Sequence, residues 1–109
     1  MTRTLTVAGI QTSYGEDMQA NIDKTIGFIR EAAAKGAQVI LAPELFQGPY
    51  FCVSQEEHWF TQAYEWRDHP CVVAMAPVAK ELGVAIPVSI FEKDGPQYYN
   101  SLVMLDADG

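Results

Sequence analysis

Leu5-Thr6-Val7-Ala8-Gly9-Ile10-Gln11 alternates well enough between apolar and polar positions to predict a first strand. Thr12 to Asp17 is polar and predicts a turn. Met18, Ile22, Ile26, Ile29 and Ala33 then recur at spacings of three and four, which lays an apolar stripe along one face of a helix. Asp17 stands where it can cap the start of that helix, and Gly36 where it can end it after Lys35. Val39 to Ala42 is a short run of apolar, largely branched residues and predicts a buried strand. Strand, helix and strand in that order predict a parallel pair with the helix as crossover.

The second strand meets Pro43, which has no amide hydrogen and cannot continue a central ladder. Proline also biases Ala42 toward an extended backbone, so the strand stays straight to its end. Glu44 is thereby predicted at the C-terminal tip of a buried strand, where open α/β sheets place their ligands. Flanked by Leu45 and Phe46, the carboxylate is expected to be partly desolvated and suited to general-base work. Pairing with a backbone amide or an arginine is the plainer reading, and position alone does not separate the two.

Beyond it, residues 47–69 are irregular and aromatic, with one or two helical turns expected between Gln55 and Tyr64. Pro70 suits the first turn of a second helix, which runs to Leu82 and ends at Gly83. Pro77 inside it predicts a kink, or two shorter pieces. Val84 to Phe91 predicts a third strand, Glu92 to Pro96 a turn, and Gln97 to Leu105 a fourth strand antiparallel to the third. Asp106-Ala107-Asp108-Gly109 is itself a turn signal with no following strand. A short disordered tail is the plainer reading; together with the resemblance described below, the signal predicts that residues 1–109 are the front portion of a larger domain.

Composition narrows the function classes. The net charge is −7 with only 7 scattered lysines and arginines, which argues against nucleic acid as a partner. Met1 to Thr6 is too polar for a signal peptide, and no apolar run approaches membrane-spanning length, so a cytoplasmic protein without a membrane partner is expected. Cys52 and Cys71 lie outside any Cys-x-x-Cys spacing and are expected as free thiols. Cys52 has no basic residue or helix start beside it to activate a nucleophile, and Cys71 sits on an apolar helix face. His58, His69 and Cys71 match no zinc spacing, and the glycine-rich phosphate motifs and the Gly-x-Ser-x-Gly elbow are absent. The rings of Phe46, Tyr50, Phe51, Trp59, Phe60, Tyr64 and Trp66 are enough to wall a small-molecule pocket, although packing is the plainer role for any single one. Tyr50, close to Glu44 in sequence, is the substrate-binding candidate, through its hydroxyl or as a π-face for a cation.

These residues resemble the nitrilase, or carbon–nitrogen hydrolase, superfamily over essentially the whole chain. The resemblance is carried by Val7-Ala8-Gly9-Ile10-Gln11, by Asn21 with Ala32-Ala33-Ala34-Lys35-Gly36-Ala37, and by Leu41-Ala42-Pro43-Glu44-Leu45-Phe46. Glu81-Leu82-Gly83-Val84 and Tyr98-Tyr99-Asn100-Ser101 extend it. Gln47-Gly48-Pro49-Tyr50-Phe51-Cys52 and Ile86-Pro87-Val88-Ser89 point to its carbamoylputrescine branch.

The resemblance implies an α/β fold, the N-terminal part of a four-layer α-β-β-α sandwich. It implies a glutamate base, a lysine that stabilises the oxyanion and a cysteine nucleophile, and no cofactor or metal. Glu44 matches the glutamate; Lys93 and Cys52 match neither partner, which the family carries beyond the equivalent of Gly109. Residues 1–109 alone are therefore expected to be inactive. The implied reaction of the complete protein is N-carbamoylputrescine plus water giving putrescine, carbon dioxide and ammonia, with a small molecule as substrate and a homo-oligomer as the assembly. A β-ureidopropionase-like or ω-amidase-like hydrolase stays open, as does a catalytically inactive binding module on the same scaffold.

Overall fold

A computed structural model describes residues 2–51 and 56–109. Strand β1 (Val7–Gly9) leads through helix α1 (Met18–Ala34) to strand β2 (Val39–Leu41). A short 3-10 helix (Glu57–Gln62), helix α2 (Pro70–Leu82) and strands β3 (Ile86–Asp94) and β4 (Gln97–Leu105) follow. The expected crossover is present: β1 and β2 are parallel, with Ala8 opposite Ile40. Their pairing runs past the strand ends, through Gln38 N to Thr6 O at 2.8 Å and Ile10 N to Leu41 O at 2.9 Å. A second crossover through α2 returns the chain beside β2, where Ile40 N donates to Ala85 O at 3.0 Å and Ala85 N to Gln38 O at 2.9 Å. β4 then folds back antiparallel on β3.

The helices form where the side chains satisfy their ends. Asp17 accepts from Ala20 N at 3.2 Å, a contact worth about 1 kcal/mol. Gly36, at φ 97°, turns the chain out of α1 in the left-handed region that glycine tolerates. At α2, Pro70 occupies the first turn and Gly83 closes the helix at φ 65°. Of the two expectations at Pro77, two shorter pieces are not found: α2 is one element. Met75, Val78 and Ala79 are buried on either side of the proline, and their packing outweighs one lost backbone bond.

The turn expected over Glu92 to Pro96 is also corrected. Glu92, Lys93 and Asp94 remain in the ladder opposite Tyr99, Tyr98 and Gln97, and only Gly95 and Pro96 form the loop. Gly95 has φ 58°, and proline holds φ near about −65°. A positive then a negative φ is the order of a type II′ hairpin turn.

Both helices cover one face of the strands. Ile22, Ile29, Ile40, Met75, Val78, Ile86, Val88, Ile90 and Leu105 form the core between them. Alternation sends the intervening side chains to the other face, where Val7 is 64% exposed, Leu41 45%, Leu102 57% and Met104 58%. The result is one helical layer on one sheet layer with a second, apolar face open. Such a face is unfavourable in water and weakens a small domain. Residues 1–109 expressed alone are expected to melt broadly in calorimetry and circular dichroism; a sharp, reversible transition would contradict this.

Candidate active site

Pro43 ends β2 as expected, and residues 44–47 turn away from the strand tip. Leu45 adopts φ 52°, the left-handed region, at a cost of about 1–2 kcal/mol for a residue with a Cβ. Two contacts hold it there. Its side chain is buried, and its N–H donates to the Ser89 hydroxyl at 3.1 Å. Leu45 and Phe46 thus go inward while Glu44 stays on the open side of the sheet.

Glu44 is exposed, so the expected partial desolvation is not found: its two apolar neighbours pack into the interior rather than over the carboxylate. Among the described residues neither a backbone amide nor an arginine pairs with it. Asn100 of β4 donates from Nδ2 to Glu44 Oε1 at 2.5 Å. A neutral amide orients a carboxylate without cancelling its charge. Glu44, Ser89, Asn100 and Ser101 lie together around a hollow of about 360 Å³ floored by Leu41 and Ala42. Asn100 and Ser89 were not singled out as site residues from sequence, although both fall in segments that carry the family resemblance.

Tyr50 does not line that hollow, and its side chain is half-exposed. The neighbouring rings mostly pack. Phe51 stacks on Trp59 with centroids 5.7 Å apart and meets Phe91 at 4.8 Å, and Phe60 meets Tyr98 at 4.6 Å. Phe51 and Trp59 also border a smaller hollow of about 190 Å³ with Glu16 and His58. Cys52 lies outside the described residues. Burial pushes the Cys71 thiol up to about 12, which suits a core residue. Among the described residues no group of three or more His, Cys, Asp and Glu side chains is placed to hold a metal ion. His58 sits 3.1 Å from Glu56, and Lys93 lies on β3.

Behind the Glu44 turn lies a buried polar network that sequence reasoning missed. The Gln47 side-chain oxygen accepts from His69 Nε2 at 2.7 Å and from Phe91 N at 3.3 Å. Its amide nitrogen donates to Gln62 O at 2.6 Å. The Gln47 carbonyl accepts from Asn21 Nδ2 at 3.1 Å, and the same nitrogen donates to Gly15 O at 2.8 Å. His69 Nδ1 accepts from Cys71 N at 3.1 Å and so caps α2. That bond requires a bare Nδ1, which leaves the proton on Nε2, facing Gln47.

Burial pulls the His69 imidazole down to about 4, with the Tyr64 ring edge-on at 5.4 Å and Cys71 beside it. Between pH 6.5 and about 4 the unfolded chain binds a proton that the folded chain refuses. Stability from this group is therefore complete above pH 6.5 and falls as the pH drops, by at most about 1.4 kcal/mol per unit. In the complete protein, denaturant midpoints should fall more steeply over this range than in His69→Asn; identical slopes would contradict a neutral buried His69.

Similarities to known proteins bear on this geometry. The carbon–nitrogen hydrolase family profile matches residues 5–109. The chain is 44% identical over 107 residues to the N-carbamoylputrescine amidase of Arabidopsis thaliana, covering 98% of this chain and 36% of that protein. It is 45% identical to the N-carbamoylputrescine amidase of Solanum tuberosum with the same coverage. The chain thus spans about a third of the length of these curated relatives. In fold it is similar to the crystal structure of a carbon–nitrogen hydrolase from Helicobacter pylori G27, with a TM-score of 0.85 at 22% identity over 95% of this chain and 36% of that one. Among the described residues no helix is long and apolar enough to cross a membrane. A strand-tip glutamate held by an amide over an open hollow, in a chain matched almost end to end by the profile, places this protein in the carbon–nitrogen hydrolase family.

Proposed function

We propose that the complete protein hydrolyses a non-peptide carbon–nitrogen bond of a small ureido compound, N-carbamoylputrescine, giving putrescine, carbon dioxide and ammonia. The observation that carries this reading is the placement of Glu44: a carboxylate at a strand tip, oriented by Asn100 and facing a hollow. The similarity to two N-carbamoylputrescine amidases at 44% and 45% identity supports the substrate.

In this reading residues 1–109 are the N-terminal portion of the domain and supply the base. The family's cysteine and lysine come from chain beyond them. A second sheet covers the open apolar face and completes a four-layer α-β-β-α sandwich. The thiol gives its proton to Glu44 and attacks the ureido carbon, and the lysine stabilises the oxyanion. The protonated Glu44 returns the proton to the leaving nitrogen and then activates water against the acyl-enzyme. Tyr50 lies near the amine tail and contributes a hydroxyl or a π-face. The working protein is a cytoplasmic homo-oligomer.

Glu44→Gln keeps an oxygen for Asn100 and removes only the base. Ammonia release from N-carbamoylputrescine by the complete protein should fall at least about 100-fold; a rate within about tenfold of the parent would remove Glu44 from that role. Parent activity on a ureido acid instead would favour a β-ureidopropionase-like enzyme, and absence of hydrolysis would favour an inactive binding module. Tyr50→Ala should raise the Michaelis constant by about tenfold with the turnover number held, and an unchanged value would take Tyr50 out of the site.

A further inference from the structure

We propose that Gln47 and His69 are positioning residues for Glu44: a neutral buried latch, His69 Nε2–H to Gln47 Oε1, holds the left-handed turn that presents the carboxylate. The inference rests on the reading of Glu44 as the base.

Only Leu45 and Phe46 separate Glu44 from Gln47, and Leu45 is the one non-glycine residue with positive φ among the described residues. A strained turn persists where its surroundings over-determine it. Here it is pinned on both sides. On one, Ser89 accepts the Leu45 N–H. On the other, Gln47 is bonded to Asn21 of α1, Gln62 of the 3-10 helix, His69 at the start of α2 and Phe91 of β3. Gln47, Asn21 and His69 are all buried, so water cannot replace a lost partner cheaply. Relaxing Leu45 toward an ordinary φ would swing Glu44 relative to Asn100, which sits on a separate element. Misplacement of a reacting group by about 1 Å is enough to cost 100-fold in rate.

His69 has two separable tasks: Nδ1 caps α2, and Nε2–H latches Gln47. Asparagine reproduces the Nδ1 acceptor and is a strong cap, but it lacks the distal donor. Glutamine reproduces a distal donor and gives up the cap.

The test compares His69→Asn and His69→Gln in the complete protein, using ammonia release from N-carbamoylputrescine and thermal melting. In His69→Asn the turnover number, read well below its melting transition, should fall about tenfold with the Michaelis constant within about twofold, and melting should drop no further than in His69→Gln. His69→Gln should recover most of the turnover at a lower melting temperature. Activity that follows the cap rather than the donor, or that falls only in step with melting, overturns the proposal. Should neither variant fold, the imidazole nitrogen spectrum of the parent decides: a neutral ring protonated at Nε2 at pH 7 supports the latch, and the other tautomer or an imidazolium refutes it. A parent that turns over N-carbamoylputrescine while His69→Asn is unaffected sinks the latch alone. A parent with no hydrolytic activity sinks the amidase reading, whatever the ring spectrum shows.

Discussion

The buried amide of Gln47 constrains the rest of the structure. A primary amide out of water needs its donors and acceptors met, or it costs about 1–3 kcal/mol for each lost partner. Gln47 meets them with groups from the 3-10 helix, the start of α2 and β3, while α1 holds its backbone carbonyl. These elements are far apart in sequence, so none can shift without leaving a polar atom unpaired. The strained Leu45 turn persists because this network, with Ser89, leaves it no alternative that keeps the bonds.

The sheet divides its labour by face. Period-two alternation directs Ile40, Ile86, Val88 and Ile90 toward the helices and Leu41, Leu102 and Met104 away from them. Glu44 leaves β2 on the second side, beside Asn100 and Ser89. The site is thereby built on a ladder of backbone hydrogen bonds rather than on loop alone, although the residue that enters it sits in a turn. A carboxylate on such a support is held by one neutral amide, which leaves its charge uncancelled.

Most of the elements were legible in the sequence because their signals are local. Asp17, Pro70 and Gly83 sit within a residue of the helix ends they predict and Gly36 within two, and the 3.6-residue stripe of Ile22 and Ile29 is buried as expected. The misreadings are local rules overruled by packing or pairing. Glu92, Lys93 and Asp94 read as a turn, yet they extend the hairpin past the core, where backbone pairing persists and charged side chains reach solvent. Pro77 reads as a kink or a split into two pieces, and the split is not found because buried neighbours carry α2 through it. Glu44 reads as half-desolvated from its neighbours, yet the left-handed Leu45 sends those neighbours inward without it.

The sequence by itself determined the order of elements, the strand end at Pro43 and hence the placing of Glu44 at a sheet tip, together with the family to which the chain belongs. Those follow from proline's missing donor, helix capping and apolar periodicity, each acting over a few residues. Only the tertiary structure decided that Asn100, 56 positions on, holds Glu44, and that Ser89, 44 positions beyond Leu45, steadies the turn. It also decided that His69 is a buried cap of α2 whose second ring nitrogen meets Gln47. Contacts at such separations depend on two crossovers and a hairpin closing in register, and no short stretch of chain encodes that geometry.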